Sequence, residues 1–248
     1  MNWDTGTLER WNFGTLEPFF LSLPALKKMK LMLITRYSAV KPPVLLFNGS
    51  IVKEIDFNDP GEYLKTAYRR LNLSYPKFFK MDNLCKLAFL TTEILLKDFD
   101  LNFRYPSEKT GLIILNSSSS LETDEKHQES ISDRNNYFPS PSVFVYTLPN
   151  IMTGELAIRH KIKGENSVFI TEKPDAEFLY GQVSELFGSG RVNCCIAGWV
   201  EAYHEKLTSC LFLVENIEMA DIEPKEIIIF DPSNIERIFK ETTEDGTY

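Results

Sequence analysis

The stretch MDNLCKLAFLTTEILLKD, residues 81–98, constrains the fold of this 248-residue chain more than any other. Leu84, Leu87, Ala88, Thr91 and Leu95 recur at helical spacing on one stripe. Cys85, Phe89 and Ile94 widen that stripe over most of the circumference. A helix this apolar belongs inside a layered domain, not on its surface. Asp82 is placed to cap its start. The next apolar run, TGLIILN at 110–116, is short, unbroken and closed by four serines. That is the pattern of a strand buried on both faces, as in a parallel sheet. A buried helix feeding a buried strand points to an α/β layered sheet.

The rest of the chain follows the same alternation. VLLFNGSIVKEI reads as two strands joined at Asn48-Gly49, because Asn-Gly supplies the positive φ of a tight hairpin. Asp59-Pro60 opens a helix through Arg70, with Asp as cap and Pro at the first helical position. Residues 117–140 are rich in Ser, Asp, Glu and Asn and are expected to form a loop with a turn or two of helix near 121–130. A helix is expected over 148–162, a strand over 167–171, and a helix over 176–187 stopped by Gly188-Ser189-Gly190. Residues 192–202 and 209–217 read as an antiparallel strand pair, and 226–231 as an edge strand. Residues 1–40 carry Trp3, Trp11, Phe13, Phe19 and Phe20 and are expected to be an extension packing on a core domain of 41–248. Within them, 23–37 is read as a short helix running into a strand.

Composition removes several function classes. With 27 basic and 35 acidic residues the net charge is −8, and no basic cluster interrupts it. That balance speaks against a nucleic-acid groove or an anionic-membrane surface. The longest apolar runs are far too short to span a bilayer, and the N-terminus MNWDTGTLER has no apolar core of a secretory signal. Cys85, Cys194, Cys195 and Cys210 lack zinc spacing, and adjacent Cys194 and Cys195 point to opposite faces of a strand. They read as small buried hydrophobes in a reducing, cytoplasmic setting.

Residues 141–173, PSVFVYTLPNIMTGELAIRHKIKGENSVFITEK, resemble the stretch of a β-ketoacyl synthase that leads up to its catalytic cysteine. Pro149-Asn150, Gly154, Leu156, Ile158-Arg159 and Lys163-Gly164 carry the likeness, flanked by the 81–98 helix, the 110–116 strand and RVNCCIAGWVEA at 191–202. The likeness covers roughly residues 44–220. It implies a thiolase-like half, a three-layer αβα arrangement on a mixed, mainly parallel sheet. In that family the nucleophile stands nine residues after the glycine of a Lys-Gly-x-Asn turn. Here the turn is Lys163-Gly164-Glu165-Asn166, and the ninth residue after Gly164 is Lys173. A nucleophile elbow needs small neighbours, and Lys173-Pro174-Asp175 supplies none. The family's two histidines lie in a second half of which only about thirty residues could remain after Ile217.

The resemblance therefore implies a non-catalytic, chain-length-factor-like subunit that pairs with an active ketosynthase and shapes its acyl tunnel. It implies no cofactor and no metal. It implies a ketosynthase-type partner, an acyl carrier protein, or a second copy of the chain. Val143, Phe144, Tyr146 and Phe169 are the candidates for lining the partner contact or acyl pocket, with 143–146 read as an alternating apolar strand. Local core filling is the competing reading for the same residues. A lone half would expose the apolar face that its missing twin covers, so a partner or residues 1–40 must cover it.

Other residues admit sharper readings. Lys173 would be a catalytic amine if burial depressed its pKa, but beside Glu172 and Asp175 a solvated or ion-paired lysine is preferred. An acyl-thioester hydrolase or transferase would need Cys194, His204 or Lys173 in a re-purposed pocket. His127, His160 and His204 read as surface residues, His160 as a cation favoured at a helix C-terminus. Glu201, His204 and Glu205 would be metal ligands, against the plainer reading of solvated groups at a strand end. Ser117 to Ser120 lack the glycines and lysine of a phosphate loop and read as a flexible loop.

Overall fold

The computed structural model describes residues 31–56, 59–133, 135, 138–217 and 227–243. Eight strands form one sheet: β1 (Met32–Lys41), β2 (Val44–Phe47), β3 (Ser50–Glu54), β4 (Thr110–Asn116), β5 (Asn166–Ile170), β6 (Cys194–Tyr203), β7 (Lys206–Asn216) and β8 (Ile228–Ile229). Their order is β3-β2-β1-β7-β6-β4-β5, with β8 beside β1. The helices are α1 (Pro60–Arg70), α2 (Asn83–Leu95), α3 (Leu101–Arg104), α4 (Leu121–Ser132), α5 (Pro141–Phe144), α6 (Ile151–His160), α7 (Ala176–Gly188) and α8 (Pro232–Thr243).

The local signals explain the elements. Asn48 and Gly49 both take positive φ (48° and 76°), which lets β2 fold back tightly on β3. Asp59 accepts from Glu62 N at 2.8 Å and Asp82 from Cys85 N at 2.8 Å, so both expected caps form. The sheet is mixed, but the expected parallel majority is not there. β4 is parallel to β5 and to β6, whereas β1–β2, β1–β7, β1–β8, β2–β3 and β6–β7 are antiparallel. Parallel pairing needs a crossover. Only the segments holding α4 to α6 and α7 supply one, while β6 and β7 join through His204 and Glu205.

The domain boundary expected at 40/41 falls inside β1, which lies in the middle of the sheet between β2 and β7. Residues 1–30, including the aromatic residues of the expected extension and the first part of the 23–37 span read as a helix running into a strand, lie outside the described residues. Alternate residues of β4 and β6 feed two cores. Leu112, Ile114, Cys194, Ile196 and Val200 pack on one face with α1, α2 and α6. Ile113, Leu115, Cys195, Ala197 and Trp199 pack on the other with α7 and α8. α8 closes over this second face. Ile235, Ile238 and Phe239 of α8 are buried against it. The three layers follow, and both faces of the sheet are closed.

Candidate functional site

The turn after β5 holds the position where the resemblance places a nucleophile. Gly164, nine residues earlier, is held against the start of β4. A Cβ there would stand 2.4 Å from the Thr110 carbonyl oxygen, so only glycine fits. Leu112 N donates to Glu165 O at 2.8 Å, and β5 then runs parallel to β4 with Asn166 beside Leu112. The chain emerges into residues 171–175, where the Thr171 hydroxyl donates to the Lys173 carbonyl at 2.9 Å. Asp175 caps α7 by accepting from Phe178 N at 2.9 Å. Lys173 is exposed, so the solvated reading is the one the structure supports.

Beside this turn lies a cavity of about 240 Å³, walled by Glu172, Lys173 and Pro174, by Trp199 of β6, by Lys206 and Thr208 of β7, and by Glu236, Phe239 and Thr243 of α8. Trp199 is 1% and Thr208 5% exposed. The indole Nε1 and the Thr208 hydroxyl nevertheless have no hydrogen-bond partner among the described residues. Nothing in the sequence flagged Trp199, Lys206 and Thr208 as a group. They meet only because β6 and β7 pair antiparallel and α8 closes over them.

The serine turn after β4 is different. Glu201, 1% exposed, reaches back to it. Its Oε2 accepts from Ser117 N at 2.7 Å, Ser118 N at 3.2 Å and Asn116 Nδ2 at 3.1 Å. Asn116 Oδ1 accepts from Ser119 N, and Ser119 takes a left-handed φ of 56°. The expectation of a solvated Glu201 and a flexible serine loop is therefore corrected. A buried carboxylate needs donors and the turn's amides need an acceptor, so each satisfies the other. Glu205 and His204 sit exposed in the β6–β7 turn, and no trio of His, Cys, Asp or Glu among the described residues is placed to hold a metal.

The four cysteines are buried and free. Burial pushes the Cys85, Cys194 and Cys195 thiols well up, and Cys210 up to about 12. None has the character of an activated thiolate. Each histidine faces something else. His127 lies on α4 against the Phe144 ring at 5.3 Å, and His204 stands 3.5 Å from Glu125. His160 is not the surface cation expected from its place at the end of α6. Burial, only partly offset by Glu93 3.5 Å away, holds its pKa down at about 4.

The expected partner residues divide. Residues 143–146 are helical, not an alternating strand: α5 runs straight into a 3₁₀ turn at Val145–Thr147. Pro141 stands at the first helical position, a start signal that outweighs the apolar alternation. Tyr146 is buried and donates to Glu155 Oε1 at 3.1 Å, and Val143 is half-buried. Phe144 is 58% exposed, with Val145 and Leu148 exposed beside it. Phe169 turns inward and meets Phe178 of α7 edge-on at 5.2 Å. Ile170, the last residue of β5, is 56% exposed. β5 itself ends the sheet and pairs only with β4 among the described residues.

A larger cavity, about 730 Å³, opens at the opposite end of the sheet near Arg36, Phe99 and buried Glu215. Glu215 accepts there from Tyr105 and Thr35, and Arg36 lies over the Phe99 ring at 4.8 Å. No helix among the described residues is long and apolar enough to cross a membrane.

No protein-family model and no curated protein matches the chain. Solved structures do. The ishigamide ketosynthase/chain length factor is similar at a TM-score of 0.56 and 18% identity, over 80% of this chain and 65% of that one. A type II polyketide acyl-carrier protein in complex with its ketosynthase gives 0.50 and 14%, over 75% of this chain and 63% of that one. A ketosynthase in complex with its chain length factor from Xenorhabdus doucetiae gives 0.52 and 14%, over 75% and 79%. The chain thus spans just under two thirds of the first two structures. What the chain shares with them is the fold: a ketosynthase-like, chain-length-factor-like α/β architecture.

Proposed function

We propose that the chain is a non-catalytic, chain-length-factor-like subunit that docks on an active β-ketoacyl synthase of fatty acid, polyketide or aryl-polyene biosynthesis. The observation that carries this reading is a ketosynthase-like fold with a solvent-exposed lysine, Lys173, where the resemblance expects the nucleophile. Covalent acyl transfer depends on a thiolate at that point, and a solvated ammonium cannot replace it. The buried thiols count against a hydrolase or transferase built on Cys194. The edge of β5, open among the described residues, supports docking, because an open strand edge is a template for pairing with another chain. Ile170 and Phe144, not Phe169 and Tyr146, are the side chains left for such a contact. The similarity to a ketosynthase in complex with its chain length factor and to a carrier-protein complex fits the same class of partner.

The test has two arms. Intact mass after incubation with malonyl and acyl thioesters is expected to show no covalent adduct, and an adduct would overturn the non-catalytic reading. Sedimentation with a ketosynthase is expected to show a complex. Ile170→Asp and Phe144→Asp, both at exposed positions, should weaken it by about 2 kcal/mol or more, roughly thirtyfold in Kd, while the monomer stays folded. A wild type that stays monomeric, alone and with the ketosynthase, would refute the docking reading, as would variants that bind as tightly as wild type.

A further inference from the structure

We propose that the larger cavity, at the end of the sheet away from the turn after β5, binds an organic phosphate of nucleotide size. This goes beyond the docking reading and does not rest on it, because every group it uses belongs to this chain. A bulge in β1 sets the site. Ile34 pairs with Val214 and Arg36 with Leu213, so Thr35 is an extra residue in the strand. Ile34 and Tyr37 both pack in the core under α7 and α8, and the two residues between them both line the cavity. Strict alternation would send one of the two to the other side of the sheet. The bulge therefore brings a guanidinium from a central strand to the cavity wall. The described residues give Arg36 the Lys97 carbonyl oxygen at 2.7 Å and the Phe47 and Phe99 rings at 5.8 and 4.8 Å, but no carboxylate within ion-pair distance. Glu215, the buried acid on the same wall, already accepts from Tyr105 and Thr35. Arg36 is part-buried, and its desolvation is only partly offset by the more distant charge of Glu215. Most of its N–H donors are left for an oxoanion, the bidentate partner that a guanidinium fits.

The charges around Arg36 set how much negative charge the ligand carries. Lys53, Arg70 and Lys97 also line the cavity. They are exposed and alone would make no site, but around Arg36 they raise the local potential. Of the three acids on the wall, Glu93 is held by Arg159 at 2.8 and 3.1 Å, which leaves Asp98 and Glu215. Apart from Arg104, which overlies the Phe99 ring at 5.2 Å, four cations stand against those two acids. That excess favours two negative charges over one. A phosphate monoester carries about −1.5 to −2 on a single group with three acceptor oxygens. Phe47, Leu71, Leu73 and Ile94 offer an apolar wall on which a ring can lie. At about 730 Å³ the space falls within the ~300–1,000 Å³ of small-molecule sites and is far larger than an inorganic ion needs. The sequence shows no basic cluster because these four cations come from β1, β3, α1 and the end of α2.

Isothermal titration calorimetry of the full chain with adenosine 5′-monophosphate is expected to show saturable binding. Adenosine, which lacks the dianion, and inorganic phosphate, which lacks the ring, should each bind at least about tenfold more weakly. Arg36→Gln should weaken the monophosphate at least about tenfold, with circular dichroism checking that the variant folds. Arg70→Gln combined with Lys97→Gln changes only exposed side chains and should weaken it at least about threefold. The proposal fails if the monophosphate gives no saturable heat, or if adenosine or phosphate binds as tightly. It fails equally if the folded Arg36→Gln variant, or the exposed double variant, binds the monophosphate as tightly as wild type. None of these outcomes bears on whether the chain pairs with a ketosynthase, so the two readings fail separately.

Discussion

Two turns at the same end of the sheet solve the same physical problem in opposite ways. After β4, the Ser117 and Ser118 amides and the Asn116 side chain converge on Glu201. After β5, the turn at 171–175 leaves Trp199 Nε1 and Thr208 Oγ1 without partners. The two sites share strands. Trp199 and Glu201 are two residues apart on one face of β6, and Thr208 is the register partner of Glu201 on β7. One carboxylate position therefore separates a sealed turn from an open one. The sealed turn is anchored by an anion the chain supplies. The open turn has no such anchor, and Trp199 Nε1 and Thr208 Oγ1 stay buried without a partner among the described residues.

The largest expected effect tests the sealed side. Glu201→Ala removes the acceptor of two part-buried backbone amides and one of the two acceptors of Asn116 Nδ2, which keeps Val200 O at 2.6 Å. Hydrogen bonds to a charged acceptor are each worth about 1.5–3 kcal/mol, so a net loss of about 3–5 kcal/mol is expected. For a chain of this size that lowers Tm by roughly 10 °C. Glu201→Gln keeps the shape and one acceptor and should lose about half as much. Thermal unfolding measures both. A fall of a degree or two in Glu201→Ala would mean that solvent can replace the carboxylate, and the contrast between the turns would collapse.

The sequence made one side of this contrast visible and not the other, for a physical reason. Elements governed by local chemistry were legible: the Asn48-Gly49 hairpin, the Asp59 and Asp82 caps, and the buried β4. The start of α8 carries the same Asp-Pro signature as α1, with Asp231 accepting from Asn234 N at 2.8 Å. That signature, with Ile235, Ile238, Phe239 and Thr242 at helical spacing, was available and marks the helix that closes the second face. α4 was harder. Only Thr123 of its residues is buried, so no apolar stripe exists, and its support comes from pairs such as Glu122–Lys126. Lys173 could be placed by counting from Gly164. Trp199, Lys206, Thr208 and Phe239 could not be grouped, because strand register and helix docking bring them together across forty positions.

A second unpaired group lies away from both turns and titrates. His160 Nε2 is buried without a hydrogen bond, facing Glu93 and Arg159. Desolvation outweighs the Glu93 carboxylate and lowers its pKa from 6.5 to about 4. A histidine depressed in the folded state binds its proton first in the unfolded state. Stability is therefore full above pH 6.5, falls as pH drops toward 4, and gains nothing further from this group below that. The contribution at stake is roughly 3 kcal/mol. His160→Leu should flatten this part of the acid limb in a Tm-against-pH series. An unchanged slope between the two proteins would show that His160 is hydrated and not an unpaired group at all.

The smallest expected effect is the sharpest test of the open turn, and the molecule carries its own control. Thr91 and Thr208 are both buried threonines facing opposite sides of the same sheet. The Thr91 hydroxyl lies 2.6 Å from Ser209 Oγ and donates to Leu87 O at 2.8 Å, whereas the Thr208 hydroxyl has no partner. Valine keeps the shape of threonine and removes only the oxygen's hydrogen bonding. Thr91→Val breaks a satisfied pair and leaves the Ser209 hydroxyl with a partner missing, a loss of about 1–2 kcal/mol. Thr208→Val removes a buried polar atom that gains nothing from the fold, so unfolding should be unchanged or up to about 1 kcal/mol more favourable to the native state. Denaturant midpoints of the two variants decide it. Equal losses would mean that fixed water already completes the Thr208 hydroxyl, and the open turn would be as satisfied as the sealed one. A loss confined to Thr91→Val would show that the open turn leaves Thr208 Oγ1 without the kind of partner that Ser209 gives Thr91.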